Sequence, residues 1–120
     1  MRQLREMTLN EYQEQANQFA IYPGSDIPDG YEYAPPAIYP FLGLAEESGE
    51  VMGKLAKVFR GDTEVFDQEA MCKELGDVLW QLSECCRQVG LNLDTVAKHN
   101  IDKLISRKNR GTIKGSGDYR

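Results

Sequence analysis

Two stretches of this chain, residues 40–60 and 68–89, repeat one layout, and that layout dictates the fold. With Glu47 at zero on a helix turning about 100° per residue, Glu50 falls near about −60° and Lys54 near about −20°, while Leu44, Val51, Leu55 and Val58 gather between about 20° and 80°. With Glu74 at zero, Asp77 falls near about −60° and Gln81 near about −20°, and Met71, Val78, Leu82, Cys85 and Val89 gather between about 20° and 80°. Each segment is therefore a helix with a carboxylate pair at the border of its apolar stripe. Stripes of this kind must be buried, and antiparallel packing of the two lets the pairs converge. Glu46 lies further round, near about −100°.

The rest of the chain is also helical in pattern, with no alternating strand signal. Thr8 and Glu11 form a capping box, which predicts a first helix over about Leu9 to Ala20. Pro23-Gly24, Pro28-Asp29-Gly30 and Pro35-Pro36 break the pattern and make about 22–39 a loop. The loop region carries Tyr22, Tyr31, Tyr33 and Tyr39, which either cover apolar surface or stack on a flat ligand. A second helix starts near Pro40, where proline suits the first turn, and stops at Gly61. Asp62 to Asp67 form a polar link. The third helix spans Gln68 to Val89 and ends at Gly90. Asn92 or Asp94 caps a fourth that runs to Asn109 and ends at Gly111. The remaining residues to Arg120 read as a mobile tail. The expectation is one domain over residues 1–120, all-α, an antiparallel four-helix bundle.

At 120 residues and 41% hydrophobic content the core is modest, so completion by oligomerisation is expected. A net charge of −5 argues against a nucleic-acid polymer as partner. The cysteines, Cys72, Cys85 and Cys86, form no CxxC and there is a single histidine, His99, so the usual zinc sites are not indicated. Cys72, Cys85 and Cys86 read as reduced thiols, and His99 as structural or surface. No apolar run reaches the roughly 20 residues of a membrane span, and the start of the chain lacks an apolar signal core, so a cytoplasmic protein without membrane contact is expected. No phosphate-binding Gly-x-x-x-x-Gly-Lys-Ser/Thr loop occurs.

The acidic pairs carry the chemistry. Unpaired carboxylates beside a core cost several kcal/mol each, and four together repel and take up protons. Oxygen-ligated hard cations remove both penalties, and Mg²⁺ favours a few carboxylates with waters and substrate phosphates. The bland alternative is a solvated acidic face paired with Lys54, Lys57 or Lys73. Gly43, Gly49, Gly53 and Gly76 lie inside predicted helices and suit close backbone approach, or are merely tolerated. On the fourth helix Asn100, Lys103, Arg107 and Arg110 share one face, with Ile101 and Leu104 on the other, and Lys114 and Arg120 follow. That face suits a polyphosphate, or is the ordinary cationic end of a helix.

At these residues the chain resembles the all-α NTP pyrophosphatases, the MazG-like nucleotide pyrophosphohydrolases in particular. Leu42-Gly43-Leu44-Ala45-Glu46-Glu47-Ser48-Gly49-Glu50-Val51 is similar to the first acidic motif of that family and Lys73-Glu74-Leu75-Gly76-Asp77-Val78-Leu79-Trp80 to the second. Asn100-x-x-Lys103-Leu104-x-x-Arg107-Lys108-x-Arg110-Gly111 resembles its phosphate-contacting helix, and Gly115-Ser116-Gly117-Asp118-Tyr119-Arg120 its C-terminal signature. The resemblance covers about residues 40 to 120; the Tyr- and Pro-rich loop before it is less typical of the family. It implies hydrolysis of a nucleoside triphosphate to monophosphate and pyrophosphate. It implies Mg²⁺, with Mn²⁺ as a substitute, held by Glu47, Glu50, Glu74 and Asp77. Glu47 then acts both as ligand and in catalysis, and Glu46 orients or deprotonates the attacking water or assists a further metal. Lys54, Asn100, Lys103, Arg107 and Arg110 hold phosphates. Trp80 and the loop tyrosines are candidates for a base pocket, and Trp80 equally for the core. A homodimer or homotetramer is implied, with a neighbouring subunit completing the pocket. The competing readings are hydrolysis of another pyrophosphate compound such as phosphoribosyl-ATP, and a non-catalytic helical dimerisation module whose acidic patches bind a protein.

Overall fold

A computed structural model describes residues 6–26, 37–62 and 66–120. Four helices follow in order: α1 (Leu9–Asn17), α2 (Tyr39–Phe59), α3 (Gln68–Gln88) and α4 (Leu93–Asn109). Among the described residues there is no strand. The protein is all-α, as the periodicity predicts. Tyr31, Tyr33 and the breakers from Pro28 to Pro36 lie outside the described residues, as does the centre of the link between α2 and α3.

The helix ends follow from local chemistry. The Thr8 hydroxyl accepts from Glu11 N at 3.0 Å, Asp67 Oδ1 from Ala70 N at 3.0 Å, and Asn92 Oδ1 from Thr95 N at 2.8 Å. Each satisfies an N–H that a first turn leaves without a partner. The chain leaves α2 and α3 through left-handed glycines, Gly61 (φ 83°) and Gly90 (φ 76°). α1 stops three residues short of the expected Ala20. Phe19 N and Ala20 N bond to Ala16 and Asn17, three residues back, so the last turn tightens and the helix is not continued.

α2 and α3 form the main packed pair, an antiparallel hairpin; α1 packs on α3 and on α4. α4 takes its principal contact from α1 and does not close a four-helix bundle within the chain. The Cα radius of gyration is 17.3 Å, against about 14 Å for a compact domain of this length. Apolar residues are accordingly left open along the helices, among them Phe41, Leu42, Met52, Phe59, Leu75, Ile101 and Ile105.

Besides Pro40 and Gly43, the buried residues of the described segments divide evenly between apolar and polar. Ala16, Tyr22, Met71, Cys85, Cys86 and Leu93 are buried, and so are Gln13, Gln81, Ser83, Glu84, Arg87 and Arg107. Gln13 ties three segments: its Nε2 donates to the main-chain oxygens of Ser83 (3.3 Å) and Leu91 (3.1 Å), and its Oε1 accepts from Leu93 N at 3.1 Å. Of the helix glycines, only Gly43 serves close approach. A methyl group there would overlap the Gln81 amide, whereas Gly49, Gly53 and Gly76 have open space around them. Among the described residues no helix is long and apolar enough to cross a membrane.

Candidate functional site

The antiparallel hairpin sets Glu47 of α2 opposite Glu74 and Asp77 of α3. One carboxylate oxygen of each lies within 4.8 Å of the others. Glu47 and Glu74 are half-buried and Asp77 is exposed. The Glu47 carboxyl is held above its ordinary range, by burial first and then by the charges of Asp77, Glu46, Glu74 and Glu50. Lys54 Nζ stands 3.9 Å from Glu74 Oε1, with its side chain 40% exposed, a weak counterion for three carboxylates. An all-oxygen donor set whose members raise one another's proton affinity fits a hard divalent cation.

Glu50 and Glu46 are exposed on α2 and reach Glu47 through their charges; neither belongs to that convergent group. The fourth-helix residues are placed elsewhere. Asn100 and Lys103 are exposed and line a cavity with Leu91, Thr95, Val96 and His99. Lys103 Nζ lies 3.6 Å from Asp118 Oδ1. Arg107 is only 4% exposed. Its Nη2 donates to the main-chain oxygens of Gly117 (3.3 Å) and Asp118 (3.0 Å). Arg110 donates to Ser106 Oγ at 3.0 Å and to the Arg120 main-chain oxygen at 2.9 Å. Within one chain, then, the α4 cations bind the tail, and α4 does not pack its basic face on the α2–α3 hairpin.

Trp80 is half-buried and does two things. Its Nε1 donates to Ala16 O at 3.0 Å, which fastens α1 to α3. Its ring meets Tyr22 edge-on at 6.3 Å, and Tyr22 stacks on Tyr39 at 5.4 Å. These three rings, with Phe19, Ile21 and Pro23, line an open pocket of 270 Å³. Trp80, on the wall of that pocket, lies three residues beyond Asp77 on α3.

Three features escaped the periodicity reading. Gln81, one turn beyond Asp77, is 5% exposed and its Oε1 has no hydrogen-bond partner. The signal for it was its angle, which places it on the carboxylate side of α3. Glu84 and Arg87 are buried as an ion pair at 3.1 Å, a spacing of three that is visible in the sequence but reads as surface charge. Tyr12 of α1 lies near enough to Asp77 and Glu84 that its hydroxyl is held above the ordinary phenol range, by burial first and then by those two charges.

The sequence matches the family described as "MazG nucleotide pyrophosphohydrolase domain" over residues 41–112. It is similar to the Gene 37 protein of Mycobacterium phage L5, 40% identical over 117 residues that cover 95% of this chain and 100% of that protein. No solved structure matches.

Proposed function

The chain belongs to the MazG nucleotide pyrophosphohydrolase domain family, and from that premise we propose that it hydrolyses nucleoside triphosphates, ribo- or deoxyribo-, to the monophosphate and pyrophosphate with Mg²⁺ or Mn²⁺. The observation that carries this reading is the convergence of Glu47, Glu74 and Asp77 inside the matched segment.

Glu47, Glu74 and Asp77 would hold the cation, with Glu50 at the rim. When bound, the cation supplies neutralisation of phosphate charge and a more acidic water. Glu46, exposed and adjacent to Glu47, accepts the proton of the attacking water. The water oxygen bonds to the α-phosphorus, the bond from that phosphorus to the α,β-bridging oxygen breaks, and pyrophosphate leaves with the electron pair. Lys54 lies beside Glu74 and receives negative charge building on the leaving group. Trp80 and its neighbouring rings take the base. Asn100 and Lys103, exposed on α4, complete the site of a neighbouring copy in a homodimer or homotetramer, and Arg107 and Arg110 join them there only where the tail they hold in this chain is displaced. The open apolar residues and the placement of α4 away from its own hairpin support that assembly.

A panel of ribo- and deoxyribonucleoside triphosphates, assayed for pyrophosphate with Mg²⁺ and Mn²⁺, tests the reading. Turnover of at least one nucleotide, lost in Glu47→Gln and Asp77→Asn, is the expected result. No turnover across the panel would sink it.

A further inference from the structure

The chain after α4 folds back on the helix it has just left. Thr112 N donates to Arg107 O at 2.8 Å. Arg120 closes the loop, its guanidinium donating to the main-chain oxygens of Thr112 (3.1 Å), Ile113 (3.1 Å) and Gly117 (2.6 Å). What this loop presents to α4 is an anion. Asp118 Oδ1 lies 3.6 Å from Lys103 Nζ and 3.5 Å from Arg107 Nη2, so one carboxylate oxygen stands between two cations.

The fit is incomplete in a particular way. Arg107 Nη2 also carries the main-chain oxygens of Gly117 and Asp118, while Arg107 Nε is buried with no partner. A buried donor left unpaired destabilises the fold that holds it. The planar fork of a guanidinium matches two oxygens of one phosphate, and the loop fills only part of that fork. The hold of Asp118 is also light, because its side chain is 79% exposed and exposed ion pairs contribute little. A phosphate brings more charge than one carboxylate and a second oxygen for Nε. Arg107 is 4% exposed, so a phosphate reaches the fork only when the loop lifts.

The geometry points to the loop over residues 111–120 as a tethered competitor of the substrate: Asp118 stands in for a phosphate oxygen on Lys103 and Arg107, and a phosphate-bearing ligand displaces it to engage the fork. This rests on the part of the reading above that gives the α4 cations to phosphate. The loop then acts as a strap that sets apparent affinity, since a site that is open for only a fraction of the time loses affinity by that fraction. It gives Asp118 no part in the chemistry of hydrolysis.

The probe is inorganic pyrophosphate in the presence of a chelator, because without a divalent cation the carboxylate cluster repels it and binding reports on the cations. Calorimetry compares the wild type with Asp118→Asn and Gly117→Ala. Gly117 stands at φ 85° with open space around it, so a methyl group strains the loop with no clash and no change of charge. Each variant is expected to bind pyrophosphate about threefold to tenfold more tightly than the wild type. Trypsin supplies a second readout. Cleavage after Lys114 is expected to quicken in the wild type at saturating pyrophosphate, and to be fast in Gly117→Ala without it. No binding by any of the three proteins overturns the assignment, and so does unchanged or weaker binding in Asp118→Asn. A gain in Asp118→Asn with none in Gly117→Ala marks a general charge effect and also overturns it, as does cleavage that pyrophosphate leaves alone or slows. A nucleotide panel on the same proteins separates the two readings. Turnover without these binding results sinks the strap alone, whereas release of the loop by pyrophosphate with no nucleotide turned over sinks the pyrophosphohydrolase reading and leaves the strap standing.

Discussion

The Tyr22 hydroxyl donates a 2.6 Å hydrogen bond to Glu84 Oε1, and that carboxylate has no solvent exposure at all. Arg87 Nε and Nη2 donate to the same oxygen at 3.3 and 3.1 Å. Arg87 Nη2 also donates to Ser25 O at 2.6 Å, and Gln88 Nε2 donates to the Tyr22 hydroxyl at 3.1 Å. The segment after α1 is thus clamped to α3 by polar groups.

This clamp makes a stability prediction. Arg87→Met leaves Glu84 charged and buried beside too few donors, and is expected to cost about 3–5 kcal/mol in urea unfolding. Glu84→Leu combined with Arg87→Met removes both charges and is expected to cost distinctly less than Arg87→Met alone. A loss under about 1 kcal/mol for the single variant would contradict the clamp.

Gly43→Ala tests the close approach of α2 to α3. The added methyl overlaps the Gln81 amide, so a destabilisation of about 1–3 kcal/mol is expected despite the better helix propensity of alanine. Adding Gln81→Ala opens the space, and the double variant is expected to recover part of the loss in a double-mutant cycle. Strict additivity would show that the two residues do not touch.

The carboxylate cluster gives a pH dependence whose sign follows from Glu47. Its folded-state pKa is raised above the ordinary 4.5. The folded state therefore holds a proton that the unfolded chain has already released. The stability this contributes is present at low pH and is lost as pH rises from 4.5 through the folded value. Without metal, the melting point of the wild type should fall over that window relative to Glu47→Gln. Saturating Mg²⁺ should raise the wild-type melting point more at pH 7 than at the low end, and Asp77→Asn should abolish most of that rise. A Mg²⁺ effect independent of pH and of Asp77 would rule out the cluster as its origin.

Thiol reactivity should separate the cysteines. Cys72 is exposed, while Cys85 and Cys86 are buried. Burial pushes the Cys85 thiol up to about 11, aided by Cys86 and the Glu84 charge. At pH 8 only about one Cys85 in a thousand is thiolate. Brief alkylation read by peptide mass spectrometry should label Cys72 and spare Cys85 until the protein is unfolded.

What the sequence reveals of all this divides by range. The spans of α2, α3 and α4 follow from local signals, Asn92 and the glycines that close them, and the structure has them within a residue. Glu47, Glu74 and Asp77 could be brought together on paper because each helix is a rigid 3.6-residue ruler. Glu50 obeys the same ruler yet stands outside the group, since its approach depends on how two helices cross, which no local pattern encodes. The amphipathic face of α4 announces burial without naming the partner, and the partner within the chain is α1. Arg107 reads as a phosphate contact on the basic face of α4, because the tail that covers it has no periodicity to announce the bonds it makes to Gly117 and Asp118. Nothing local marks Glu84 as buried, the angle of Gln81 places it only at the edge of the apolar stripe, and tertiary contacts bury both.

The Gln13 amide has a consequence for the order of events during folding. The α2–α3 hairpin needs only contacts close in sequence and can form early. Gln13 reaches Ser83 and Leu93 across sequence separations of 70 and 80 residues, and nothing about α1 alone holds it there. The knot it ties is expected to form after the main barrier, with φ-values near zero at Gln13 and high values along the hairpin. A single amide at one end of the chain would then set how fast the native protein comes apart, while leaving the speed of its assembly almost untouched.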